Sequence, residues 1–204
     1  MASLGRPPLH PSALEPILVA VMELVAEKGS RQISYGDVAT RASVSVGKLQ
    51  HHFGSRDALI RKAFEHQLLH VTDRIHQLLE HPGTVTTRLR AAADEVSLRN
   101  SWNRATIWID LLGRSVDSEE YRALRDRVND SWRYVFKQLL AEGVAAGECE
   151  LRCPIDEAVA QIVAMGDGLT VHTVSHGLDR VEEQAPIMRA MFARTVESVV
   201  DITL

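Results

Sequence analysis

Apolar residues along the first third of the chain recur every three or four positions, the period of a helix with one side on a core. Ile17, Val21, Leu24 and Val25 form such a stripe over Ser12 to Lys28. Ser12 and Glu15 have the spacing of a capping box, Pro16 falls near the first turn where proline is tolerated, and Gly29 is a stop. From Ile33 to Arg56 the pattern breaks into two short helices. Ser34 is an N-cap residue ahead of Val38, Ala39 and Ala42, and Ser43 and Ser45 bring turn and cap chemistry on either side of Val44. A second short helix then starts at Val46, with Leu49 and Phe53, four apart, as its anchors. Ser55 caps a long helix carrying Leu59, Ile60, Ala63, Phe64, Leu68, Leu69 and Val71 toward Glu80. About 25 residues at roughly 1.5 Å each make a rod of about 37 Å, long enough to carry a displacement from one end to the other.

Five more helices follow from the same periodicity: Thr84 to Leu98, Trp102 to Ser115, Ser118 to Gly147, Pro154 to His176 and Glu182 to Leu204. Gly143 and Gly147 are expected to loosen the end of the third of these. No stretch alternates in the manner of a strand, and there is no internal repeat. The fold class predicted is all-α, with about nine helices. Its expected divisions are a flexible arm over residues 1–12, a helix-turn-helix domain over 13–56, a connecting helix over 57–80 and a larger helical body over 81–204. Arg6 on the arm is a candidate for a minor-groove contact.

Composition changes this picture in three places. Apolar residues make up 45% and aromatics only 5%, which suits helices packed with aliphatic side chains. The net charge of −4 conceals a division. Residues 1–65 hold eight Lys or Arg against six Asp or Glu, and residues 66–204 hold 15 against 21. The basic end is therefore the end with the two short helices, and an acidic body disfavours nucleic acid in the wrong orientation. No apolar run reaches about 18 residues and no apolar signal core opens the sequence, so a cytoplasmic protein without a membrane span is expected. Cys149 and Cys153 then read as reduced structural thiols.

With Leu49 and Phe53 turned inward, Lys48, Gln50, His51 and His52 are left on the outer surface, all able to donate hydrogen bonds. A short anchored helix with an outward row of donors after a tight turn is the arrangement of a helix-turn-helix. Head and body together resemble the TetR family of one-component transcriptional repressors. The likeness rests on Ile33-Ser34, Val38-Ala39, Ala42-Ser43-Val44-Ser45, Gly47, Leu49, His52-Phe53, Ser55-Arg56 and Leu59. It implies phosphate contacts from Ser34, Tyr35, His52 and Arg56, and groove-facing positions at Ser45, Val46, Gly47, Lys48, Gln50 and His51. Two letters depart from the family pattern. Gln50 replaces an aromatic, usually Tyr, with an amide that can pair bidentately with adenine, and Ser43 replaces a glycine in the turn. Asp167-Gly168-Leu169 and the tryptophan-rich helices before it resemble the subgroup around the betaine-pathway repressors.

The resemblance further implies a homodimer on a near-palindromic double-stranded DNA operator, released by a small-molecule effector. The helix from Pro154 is apolar on two sides, as a helix buried on two sides must be, and the last two helices are the expected dimer interface. Candidate effector-lining residues are Trp102, Trp108, Asp110, Trp132, Phe136, Met165, Asp167 and Leu169; aromatics and carboxylates suit a cation. Each aromatic is also an ordinary core residue, and Asp110 or Asp167 could instead pair with an arginine such as Arg133. His66 with His70, and His172 with His176, have metal-ligand spacing but no third ligand evident in the sequence, so no metal is expected. Glycine-rich phosphate loops, HExxH and nucleophile motifs are lacking, which argues against an enzyme. The remaining alternatives are a helical small-molecule-binding protein without operator binding and an activator of the same fold.

Overall fold

The computed structural model describes residues 11–97 and 101–202, and the greater part of the expected N-terminal arm, Arg6 included, lies outside them. Two compact units divide the chain after Leu68. Four helices begin in the first unit: α1 (Pro11–Lys28), α2 (Tyr35–Arg41), α3 (Val46–Phe53) and α4 (Arg56–Glu80), the last continuing into the second unit.

In the first unit α1 packs on α2 and α2 on α3. Ile17, Val21, Ile33, Val38, Leu49, Leu59, Ile60 and Phe64 are each no more than 1% exposed, so the expected stripes are the core. The short helices depend on their ends, since seven or eight residues give few internal hydrogen bonds. Ser34 caps α2 by accepting from the Asp37 backbone N–H, and the Asp37 carboxylate accepts the Ser34 N–H at 2.7 Å in return. Ser45 caps α3 by accepting from Lys48 N, and Ser55 accepts from Ala58 N at the start of α4. Ser43 enters the left-handed region at φ 53°, alone among the described non-glycine residues, at the point where a glycine would be unstrained. Arg41, in the last turn of α2, grips Glu27 of α1 with two hydrogen bonds and reaches Glu23 with a third.

The second unit adds α5 (Val85–Ser97), α6 (Ser101–Ser115), α7 (Glu119–Ala145), α8 (Ile155–His176) and α9 (Val181–Val199). α8 is central, packing against α5, α6, α7 and α9. Leu111, Leu139, Ile162, Phe192 and Val196 are fully enclosed around it. Arg88 on α5 is 7% exposed and forms a bidentate pair with Glu142 on α7.

Two helix ends differ from expectation. α7 runs through Gly143, which is needed for closeness instead of looseness: a Cβ there would stand 2.7 Å from the Cys149 sulfur and 3.1 Å from Val85. α9 stops at Val199, short of the expected Leu204. Val200 turns extended and pairs antiparallel with Leu151, while Arg152 N donates to Val199 O and Asp201 N to Glu150 O. Backbone partners in the α7–α8 connection thus replace the helical ones. Cys149 is buried and Cys153 half-buried, both as free thiols. Among the described residues no helix is long and apolar enough to cross a membrane.

Candidate DNA interface and effector site

α3 presents one buried side and one open side. Leu49 is 0% exposed, whereas Val46, Gly47, Lys48, Gln50, His51 and His52 are all exposed. The side chains of Lys48, Gln50 and His51 have no hydrogen bond or ion pair among the described residues, so their donors are free for an external partner. His52 sets its ring edge-on against Phe53 at 4.7 Å, which orients the imidazole. Phe53 itself is half-buried. Ser45 stays exposed while its oxygen caps the helix, placing it at the α3 N-terminus where backbone N–H groups point outward.

The residues assigned to phosphate are less uniform. Ser34 is exposed, but its hydroxyl donates to Asp37 at 2.6 Å and serves the cap. Asp37 is held far below the ordinary carboxylate range by Lys28, 2.8 Å away, and by the Ser34 donors. Tyr35 is half-buried, and its hydroxyl is enclosed with no hydrogen-bond partner among the described residues; the same burial pushes the phenol upward. As folded here, that hydroxyl is turned into the protein. Arg56 has partners within the head. Its Nη1 donates to the backbone carbonyls of Arg31 and Ile33 at 2.9 Å each, and to that of Ser30 at 3.5 Å. The Ser34–Asp37 pairing was detectable, since Ser-x-x-Asp before an apolar stripe is a cap signature. The Arg56 contacts span 23 to 26 residues and leave no local trace.

In the body, one pair of expected effector residues makes a direct bond. Trp108 Nε1 on α6 donates to Asp167 Oδ1 on α8 at 3.1 Å. Burial raises the Asp167 pKa above the ordinary value, against the opposing effects of the Trp108 bond and the positive field of Arg133. Trp132 stacks on Phe136 at 5.4 Å with the planes 16° apart, and Phe136 leans on Phe192. Phe136 and Leu169 are 1% and 2% exposed, so they pack as core. Trp102, Trp108, Trp132 and Met165 are half-buried. Asp110 pairs with Arg114 one turn along its own helix at 3.3 Å. Arg114 in turn lies over the Tyr121 ring and donates to its hydroxyl. Asp110 therefore has an ion-pair partner on its own helix, and the i, i+4 spacing to Arg114 was the legible sign of that pair.

Two open body grooves are lined by other residues. One of about 640 Å³ runs past His76, Arg127, Asp130 and Tyr134, and one of about 510 Å³ past Arg74, His81, Asp94 and Glu95. His172 and His176 place their rings 3.9 Å apart. His172 lies against Gln184, and His176 against the His172 carbonyl, so each has a protein partner. His66 is half-buried and His70 exposed on α4.

Comparison with known proteins bears on both sites. Residues 17–63 match the family of bacterial regulatory proteins named for tetR, and residues 85–201 match the C-terminal region of BetI-type transcriptional repressors. The chain belongs to the TetR family. It is a DNA-binding transcriptional regulator with a BetI-type body. It is 28% identical over 140 residues to the transcriptional regulator BetI 1 of Chromohalobacter salexigens, covering 66% of each chain, just under two thirds of that relative's length. It is also 28% identical over 164 residues to the transcriptional repressor Rv3405c of Mycobacterium tuberculosis, covering 72% of this TetR chain and 87% of the relative. Among solved structures, a TetR regulator of Haloarcula marismortui has a TM-score of 0.82 at 16% identity, covering 94% of this chain and 100% of its own. A protein from Saccharomonospora viridis solved in complex with choline has a TM-score of 0.82 at 19% identity, covering 95% and 100%. At such identities these structures establish the TetR fold of the chain.

Proposed function

We propose that this TetR regulator is a cytoplasmic homodimeric repressor, acting by binding without catalysis, that leaves a near-palindromic operator when a small cationic effector enters its body. The observation that carries the DNA side is the unpartnered row of Lys48, Gln50 and His51 on the open side of a helix anchored by Leu49. Lys48 can address guanine or phosphate, and Gln50 can pair with adenine. Ser45, Val46 and Gly47 bring the helix start close to the groove, and His52 lies toward the backbone. Ser34, Tyr35 and Arg56 stand at the expected margin of the interface, where the Tyr35 hydroxyl is enclosed and the Arg56 guanidinium serves the backbone of the head.

Dimerisation through α8 and α9 is supported by what those helices leave uncovered. Val171, Ile187 and Met191 are 48%, 52% and 38% exposed, next to the small exposed residues Ala160, Ala164 and Gly168. An apolar surface of this kind, flanked by small residues, suits close approach of a second copy. On the effector side, an inward carboxylate beside an indole, Asp167 with Trp108, is the combination that holds a cation. The choline complex of the similarly folded Saccharomonospora protein points to the same ligand class.

The test is a mobility shift on DNA selected by the purified protein from random sequence. A palindromic selection, binding that weakens steeply with salt, and loss of binding in the Lys48→Ala, Gln50→Ala double variant are expected. Titrating choline into the complex should release the DNA, and Asp167→Ala should raise the choline concentration required at least tenfold. Failure of the dimer to select any sequence would falsify the repressor reading.

A further inference from the structure

A cation in the first turn of a helix opposes the helix macrodipole, so Arg56 at the start of α4 needs an acceptor elsewhere. It finds three. Nη1 faces the carbonyls of Ser30, Arg31 and Ile33, which lie in and just after the short 3-10 turn Ser30–Gln32. The end of such a turn leaves carbonyls without intrahelical donors. The next residue is Ser34, whose cap sets the start of α2, and α2 packs on α3. Ile33 is 1% exposed and Ser30 is 0%, so the segment is seated from beneath by its side chains while Arg56 fixes its carbonyls. The guanidinium therefore joins the first turn of α4 to the backbone immediately ahead of α2.

We infer that Arg56 is a positioning residue for DNA recognition: it locks the 30–33 segment, and with it the entry of α2, to the N-terminal turn of α4. This inference rests on the DNA-binding reading of the head. It replaces a phosphate contact at Arg56 with an internal one. A movement of α4 at this end then reaches the helix-turn-helix through hydrogen bonds to its backbone.

The experiment uses the full-length protein and a duplex selected by the unaltered chain from random-sequence DNA. Binding is measured against salt at a temperature where melting curves show each variant folded. Arg56→Met keeps the stem and removes every donor. The positioning role predicts an affinity loss of about tenfold or more with the salt slope unchanged, because the same number of phosphates is neutralised. Amide exchange over residues 33–36 should accelerate in the same variant. A salt slope shallower by about 1.8, the amount expected when each protomer of the dimer neutralises one phosphate fewer, with exchange unaltered, makes Arg56 a phosphate ligand and overturns the inference. Unchanged affinity of the folded variant overturns it too, since a residue that only stabilises the fold does not move that readout. Should Arg56→Met not fold, Arg56→Lys decides. Its ammonium, on a shorter side chain, still meets a phosphate but falls short of the carbonyls, so affinity drops under positioning and stays near that of the unaltered protein under phosphate contact. If the unaltered protein selects no duplex, it is the repressor reading that has failed.

Discussion

The two units of this regulator spend their polar chemistry in opposite directions. In the head, the informative side chains point outward: Leu49 is enclosed so that Lys48, Gln50 and His51 can be open. In the body, the informative side chains point inward, where Asp167 meets Trp108 and Trp132 lies on Phe136. An outward residue costs the fold almost nothing and can be chosen for a partner alone. An inward one must satisfy packing along with the proposed ligand, so the proposed function and stability are coupled there.

That contrast can be broken by measurement. The largest effect on stability should come from Phe136→Ala. It removes a ring that is 1% exposed and touches Trp132 and Phe192, and should cost about 3–5 kcal/mol in urea unfolding. A cost near zero would mean the body core is far looser than its burial implies.

Asp167→Asn should act through pH. Because the folded pKa is raised, the folded protein holds this proton more tightly than the unfolded chain does. Stability contributed at this site is therefore present at low pH and lost as pH rises from the ordinary aspartate value through the raised one. The Asn variant should lose that slope, and choline binding to the unaltered protein should strengthen over the same interval as the carboxylate ionises. If thermal melts of the two proteins ran parallel across this range, the inward carboxylate would not be the titrating group.

Ser43→Gly should raise head stability by about 0.5–1 kcal/mol, since it relieves a side chain held at φ 53°. Smallest of all should be the stability change in the Lys48→Ala, Gln50→Ala double variant, within about 0.5 kcal/mol, although it is expected to abolish operator binding. A large shift in its unfolding midpoint would show the outward row to be structural after all, and the contrast between the units would collapse.

The same contrast explains what could be read from sequence. The head is governed by intervals of three and four residues: Ser45 to Lys48 in the cap, Leu49 to Phe53 in the anchor, Ser34 to Asp37 in the box. Local chemistry decides these, and the helices α2, α3 and α4 lie where the pattern puts them, within a residue. Helix existence in the body was legible for the same reason. Partners chosen by tertiary packing were not. Trp108 finds Asp167 across 59 residues, and Arg56 finds the Ile33 carbonyl across 23. Nor does periodicity show that Val200 leaves the helix for Leu151, because its apolar side chain suits either conformation. Asp110 is a different case, since its partner Arg114 stands one helical turn away and the pairing was legible from spacing alone.

The Trp108–Asp167 bond has a spectroscopic consequence. All three tryptophans of the chain, Trp102, Trp108 and Trp132, belong to the second unit, and the first unit has none. Ultraviolet-excited indole emission is therefore a label-free gauge of the second unit. One of its three emitters touches a carboxylate, and that emitter's colour and yield change when the charge beside it changes. Occupancy of the proposed effector site can be followed by fluorescence in the absence of any DNA, while events on α3 alone leave the emission unaltered.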